Sequence, residues 1–301
     1  MSALSIAILP VTEKGFLIAQ GLTKGLPGAR VFHPSGLKNN GLKRKIRRIF
    51  ETYGGIVFIS AAGIAVRVCA PLLKGKHLDP AVVVMDDAGR FAISLLSGHL
   101  GGANELAVRI AGISGAIPVI TTATDAHGLP SAEEIAKKFN LAVGNVSGIK
   151  AVNSAILKGE KIAVIDSNKE RRALIKNTYG QHKFFRFFAR RPKDAKPYGA
   201  FFYVSGAADT SLEFTRRKTL VLHPRQYVVG IGCRRGVTQA EVDMAFTKAL
   251  GSHGILEAAV RNLATIDIKK TEKGLVGFAA KRGFLIEFID AERLNKIRLP
   301  S

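Results

Sequence analysis

The sequence predicts an α/β protein: an open, mixed, mostly parallel sheet in an N-terminal domain, a smaller α/β central region, and a separate small α/β C-terminal domain. Three observations predict it. Short β-branched runs alternate with helical patterns through residues 1–140, the rhythm of a largely parallel sheet with helices packed on it. One neighbouring pair of runs, Val82-Val83-Val84-Met85-Asp86 and Arg90-Phe91-Ala92-Ile93-Ser94, is joined by Asp87-Ala88-Gly89 and reads as a hairpin, so the sheet is mixed. After His223-Pro224-Arg225 the alternation starts afresh.

In chain order, strands are predicted at 4–9, 29–32, 56–60, 81–85, 91–96 and 117–122, with helices near 13–25, 42–53, 64–73, 103–113 and 131–139. Residues 1–130 form the N-terminal domain. The central region, 131–225, carries a helix near 152–158, a strand at 162–165, aromatic stretches at 184–188 and 201–204, and a surface loop from Pro192 to Pro197. In the C-terminal domain, 226–301, a strand at 227–231 leads through Gly232-Cys233-Arg234-Arg235-Gly236-Val237 into a helix opened by Thr238, where Glu241 fits a capping box. A strand at 263–268, a helix at 274–280, a strand at 285–288 and a helix at 291–297 follow.

Composition narrows the partners. The chain has 301 residues, 47% of them hydrophobic, enough to bury real cores. No twenty-residue apolar run occurs, so no membrane span is expected. Residues 4–10 lack a basic lead and read as a first strand, not a signal peptide. Cys69 and Cys233 are the only cysteines, too few and too far apart for a disulfide framework or a zinc site, which suits a reducing cytoplasm. The net charge of +22 calls for an anionic partner. Composition alone ranks nucleic acid first, and a small polycarboxylate or phosphorylated ligand is the competing reading. Arg186, Arg190 and Arg191 interleave with phenylalanines and keep nucleic acid open, although such aromatics are more often core. The run Lys43-Arg44-Lys45-Ile46-Arg47-Arg48 reads as a solvated helix face.

Ligands of open α/β sheets bind outside strand carboxyl ends, so the strand exits are the places to search. At the first exit, Ser60-Ala61-Ala62-Gly63 leads into a helix whose free amides can hold an anion, with Arg67 adding charge. The second exit, Ser97-Gly98-His99-Leu100-Gly101-Gly102-Ala103-Asn104-Glu105, is the most informative. Its glycines let backbone approach a ligand. His99 can serve as a general base and Asn104 can donate to an oxyanion or carboxylate. Glu105 can orient His99 or simply favour a helix N-terminus. The third exit, Thr121-Thr122-Ala123-Thr124-Asp125, offers hydroxyls and a carboxylate to a polar ligand, or is a run of turn and cap residues. Asp86 and Asp87 fit a turn better than acid–base work. In the C-terminal domain, Gly232, Arg234 and Arg235 before a helix form an anion cradle, and Cys233 is either a reactive thiol or a bystander.

Two blocks carry a resemblance. The first runs from Ile56 to Asp125 and includes Gly63-Ile64-Ala65-Val66-Arg67, Ala70-Pro71-Leu72-Leu73-Lys74, Leu95-Leu96-Ser97-Gly98-His99-Leu100-Gly101-Gly102-Ala103-Asn104-Glu105 and Pro118-Val119-Ile120-Thr121-Thr122-Ala123-Thr124-Asp125. The second is Val229-Gly230-Ile231-Gly232-Cys233-Arg234-Arg235-Gly236-Val237, with Ala264-Thr265-Ile266-Asp267 downstream. In this order they resemble the cobalt-precorrin-5A hydrolase family of cobalamin (vitamin B12) biosynthesis. Family members continue past the segment resembling Leu299-Pro300-Ser301, so the C-terminal domain is expected to be either short or truncated.

The resemblance implies hydrolytic opening of a δ-lactone on a cobalt corrinoid, with loss of acetaldehyde to give cobalt-precorrin-5B. It implies a polycarboxylate substrate that brings its own cobalt, so no protein-bound cofactor or metal is expected. His99, Asn104 and Glu105 become the expected catalytic residues. Gly63, Arg67, Ser97, Gly98, Gly101, Gly102, Thr121, Thr122, Asp125, Gly232, Arg234 and Arg235 become the expected substrate contacts. Neighbouring enzymes of the pathway and a second copy of the chain are the expected protein partners. A non-catalytic tetrapyrrole carrier is the rival that would need the same arginines.

Overall fold

The computed structural model describes residues 5–37, 41–75, 78–206 and 218–296. The chain divides into two compact units, Met1–Glu134 and Ile135–Ser301. In the first, β1 (Ile6–Pro10), α1 (Glu13–Thr23), β2 (Arg30–Val31), α2 (Gly41–Thr52), β3 (Gly55–Ile59), α3 (Ala62–Cys69), β4 (Ala81–Met85), β5 (Phe91–Leu96), α4 (Ala103–Ser114), β6 (Ile117–Val119) and α5 (Ala123–Ala126) follow one another. α6 (Ala132–Lys138) spans the division between the units.

The six strands form one sheet in the order β2-β1-β3-β4-β5-β6. Every neighbouring pair is parallel except β4 and β5, the hairpin expected from the sequence. β1, β3 and β4 read as unbroken apolar runs because both sheet faces are covered. Ile8, Val57, Ile59, Val83 and Met85 pack against α1 and α4, while Leu9, Phe58, Val82 and Val84 pack against α2 and α3 on the other face. Each fully buried side chain such as Phe58 stabilises the unit by roughly 1.5–3 kcal/mol over its exposed state. In α2, Leu42, Ile46, Ile49 and Phe50 fall on one buried stripe, leaving its lysines and arginines a solvated face. α3 stops at Cys69, earlier than the sequence pattern suggests. Pro71 cannot continue the α-helical hydrogen bonding, and Ala70–Leu72 forms a 3-10 turn.

The second unit holds β7 (Leu141–Val143), α7 (Val146–Leu157), β8 (Ile162–Asp166), α8 (Lys169–Tyr179), β9 (Phe185–Phe188), β10 (Ala200–Val204) and β11 (Thr219–Pro224). It continues with β12 (Tyr227–Gly230), α9 (Gln239–Ser252), β13 (Val260–Ile266), α10 (Lys273–Arg282), β14 (Ile286–Ile289) and α11 (Ala291–Asn295). A five-stranded sheet, β7-β11-β10-β8-β9, is parallel except at β7. A three-stranded sheet, β12-β13-β14, is wholly parallel.

β7, α8 and β11 are additions to the elements read from the sequence. The aromatic stretches are largely core: Phe185, Phe201 and Phe202 are buried, which removes them as platforms for stacked bases. Among the described residues no helix is long and apolar enough to cross a membrane.

Candidate active site

The antiparallel hairpin decides which strand exits meet. Ile59 lies beside Met85, and Met85 lies opposite Ala92, while Leu96 lies opposite Val82. The chain therefore leaves β5 at the edge where β4 begins, about 10 Å along the strands from the exit of β3. β6 runs parallel to β5, so the second and third exits share that edge. Gly63 and Arg67 sit at the opposite edge, and the Arg67 guanidinium folds onto its own helix, donating to the Gly63 carbonyl at 3.3 Å. Gly63 and Arg67 therefore do not lie beside His99.

The turn between β5 and α4 is tightly wound. Ser97 takes a left-handed conformation (φ 58°), as does Gly102 (φ 87°), and three backbone bonds close the turn: Gly102 N–H to His99 O, Ala103 N–H to Ser97 O, and Asn104 N–H to Gly98 O. Gly101 passes so close to Ser97 that a Cβ there would meet the Ser97 Cβ at 2.4 Å, so only glycine fits. The amides of His99, Leu100 and Gly101 donate to no group among the described residues. The Ser97 hydroxyl is buried without a hydrogen-bond partner among the described residues.

Seven side chains, most of them from these two exits, converge behind this turn. His99 Nε2 lies 3.0 Å from Thr124 Oγ1 and 3.4 Å from Asp125 Oδ2. Its Nδ1 is 3.5 Å from Ser131 Oγ, which also caps the start of α6 by accepting the Glu134 N–H. Asp125 Oδ2 accepts from the Thr122 hydroxyl at 2.5 Å and from Asn104 Nδ2 at 3.2 Å. Asn104 Nδ2 also donates to Thr122 Oγ1, and Asn104 Oδ1 accepts from the Ser94 hydroxyl at 2.7 Å. His99 keeps a fifth of its side chain exposed and Asp125 more than a third, so the pair is reachable from solvent.

Two roles expected from the sequence change here. Asn104 is 7% exposed and both its N–H bonds are committed within the protein, so it has none left for an oxyanion. It holds Asp125 instead. Glu105 is exposed on the first turn of α4, and the carboxylate found beside the imidazole is Asp125, from the third exit. Ser94, Thr124 and Ser131 were not singled out from the sequence, although Ser131 with Glu134 three residues on carries a helix-start signature. Thr121 is exposed and outside the network.

The other candidates resolve into local roles. Asp86 ties the hairpin turn by accepting from the Arg90 and Phe91 amides. Burial acts to raise its carboxyl, but these bonds and the Arg90 guanidinium outweigh that and hold it below the usual carboxylate range. Burial, with Asp79 nearby, pushes the Cys69 thiol up to about 11, which leaves it inert. In the C-terminal turn, Arg234 is paired with Glu241 at 2.7 Å, while Arg235 is exposed and has no partner among the described residues. Cys233 packs against the apolar core of α9 and α10. Among the described residues no group of three or more His, Cys, Asp and Glu side chains is placed to hold a metal ion.

Family models match almost end to end. Residues 44–125 match "Cobalamin synthesis G N-terminal", residues 130–224 match "Cobalamin biosynthesis central region", and residues 227–301 match "Cobalamin synthesis G C-terminus". The chain is 33% identical to the cobalt-precorrin-5A hydrolase of Salmonella typhimurium, over 92% of this chain and 79% of that protein. It is 30% identical to the cobalt-precorrin-5A hydrolase of Priestia megaterium, over 97% of this chain and 82% of that one. A solved structure, described as a cobalamin biosynthesis protein G homolog from Sulfolobus solfataricus, aligns over 99% of this chain and 84% of that chain at 23% identity, with a TM-score of 0.44. On the identity and coverage of the two hydrolases, the chain belongs to the cobalt-precorrin-5A hydrolase family of cobalamin synthesis G proteins.

Proposed function

We propose that the chain is itself a cobalt-precorrin-5A hydrolase, opening the substrate's δ-lactone and releasing acetaldehyde to leave cobalt-precorrin-5B. The observation that carries this reading is an imidazole in contact with a carboxylate, His99 with Asp125, on a turn whose amides at His99, Leu100 and Gly101 are uncommitted. Lactone hydrolysis needs those two things: a base for water and donors for the oxyanion.

In this reading His99 takes a proton from water as the water oxygen bonds to the acyl carbon. The turn amides stabilise the oxyanion. The acyl carbon–oxygen bond then breaks, freeing the alcohol. Collapse of that alcohol to a carbonyl breaks its carbon–carbon bond to the macrocycle, which keeps the electron pair and takes up a proton. Acetaldehyde leaves. Cobalt travels with the substrate.

The charge of +22 suits a macrocycle bearing many carboxylates. The test is anaerobic incubation of the full chain with cobalt-precorrin-5A, following acetaldehyde and the mass of the corrinoid. Acetaldehyde release with lactone opening is the expected result; binding without release would make the chain a carrier. The His99→Ala variant should turn over roughly 10²–10⁴-fold more slowly. An unchanged rate in the folded variant would remove His99 as the base.

A further inference from the structure

The hydrogen bonds around His99 specify more than its identity as a base. A carboxylate only accepts, so Asp125 Oδ2, at ion-pair distance (3.4 Å) from Nε2, favours a neutral His99 with its proton on Nε2, where the hydrogen bond runs to Thr124 Oγ1 at 3.0 Å. The lone pair is then on Nδ1. The contact there, Ser131 Oγ at 3.5 Å, is at the long limit of a hydrogen bond and leaves that lone pair weakly engaged.

The same logic fixes the next layer. The Asn104 atom facing Asp125 must be its amide nitrogen, because only a donor suits a carboxylate. Asn104 Oδ1 then faces Ser94, whose hydroxyl donates to it at 2.7 Å. Thr122 accepts from Asn104 and donates to Asp125, closing a ring of three side chains. Every donor in the chain Ser94–Asn104–Thr122–Asp125 has one acceptor arrangement open to it, and each is taken. Such a chain holds a carboxylate in one place.

We propose that Asp125 is the positioning residue for His99, held by Asn104, Thr122 and Ser94, so that Nε2 carries the proton and Nδ1 is the nitrogen that receives the proton of water. This rests on the hydrolase reading for the identity of the reaction, but the tautomer is a property of the free protein. Ser94, fourth in the chain and in contact with Asn104 at 2.7 Å, acts only through it.

The experiment is nitrogen NMR of the full chain labelled at histidine, without substrate, with the His99 signal assigned by its loss in His99→Gln. The expected signature is a neutral ring protonated at Nε2. In Asp125→Asn that preference is lost, and kcat falls roughly 10²–10⁴-fold while KM stays within about threefold. Ser94→Ala, a milder change that spares the carboxylate, lowers kcat by less and leaves the tautomer biased the same way. A wild-type ring protonated at Nδ1 overturns the proposal. So does an Asp125→Asn variant with raised KM and unchanged kcat, which would make Asp125 a substrate contact. An Nε2-protonated ring in a wild type that releases no acetaldehyde would count against the hydrolase reading alone.

Discussion

Two glycine-rich turns join a strand to a helix in this chain, residues 97–102 before α4 and residues 232–236 before α9, and they are built on different physics. In the first, glycine is present because neighbours leave no room. A Cβ on Gly98 would meet Asn104 Oδ1 at 2.6 Å, and one on Gly101 would meet Ser97. Buried polar side chains press against the turn and fix its shape. In the second, a Cβ on Gly232 would meet nothing within 4 Å, and the turn is held from outside by a cap. Thr238 and Glu241 form the capping box, with Glu241 also receiving the exposed Arg234. A glycine-rich turn is therefore not one kind of site. The crowded turn presents a defined constellation of groups, and the open one presents exposed arginines.

Substitutions can break or sharpen that contrast. The largest effect is expected for Gly101→Ala. It forces overpacking against Ser97, which should cost about 1–3 kcal/mol in urea unfolding and at least about tenfold in turnover, since the catalytic turn itself must shift. An Ala tolerated there at full activity would deny that the first turn is sterically locked. Gly236→Ala should cost about 1–2 kcal/mol, for a backbone reason only: its φ is +78°, a region that β-carbons disfavour, while the space around it is open. Its turnover per folded molecule should be far less affected than that of Gly101→Ala.

The cap gives a pH signature confined to the second turn. Hydrogen bonds from the Thr238 amide first, then the Thr238 hydroxyl and Arg234, lower the Glu241 carboxyl to about 2. A carboxyl lowered on folding adds stability that is fully present above its ordinary value, near 4.5, and is lost as pH falls toward 2. Thermal unfolding of Glu241→Gln should therefore lose less between about pH 5 and about pH 2 than that of the wild type; identical acid profiles would remove the cap from the account. The smallest effect belongs to Gly232→Ala, expected to stay within about 0.5 kcal/mol of wild type.

What could be read from the sequence followed from how much each segment buries. β1, β3, β4 and β5 were legible because strands covered on both faces, or paired in a hairpin, leave unbroken or alternating apolar runs. α8 was not, because only Ile175 and Tyr179 of its eleven residues are buried and the rest reads as charge. β7 has three residues, too few to show a period. Within the site, His99 and Asp125 stood out as reactive groups among small residues, but their contact joins two strand exits on either side of α4. Glu105 was the nearer carboxylate in sequence and so the natural partner to expect. Asn104 was legible as important and illegible as saturated, since nothing in a sequence says that Ser94, Thr122 and Asp125 will exhaust an amide.

By itself the sequence determined the α/β class, the hairpin that makes the first sheet mixed, the positive charge that suits a polycarboxylate, and the run of motifs that marks the family. These depend on local patterns and on chemical type, which are properties of residues and their near neighbours. Only the tertiary structure decided which exits share an edge, which carboxylate meets His99, and which amides and guanidinia are already spent. The reason is range. A hydrogen bond is made or lost over a few tenths of an ångström, and that precision is set by the direction of β5 and the packing of α4 on the sheet, where residues far apart in the chain become neighbours.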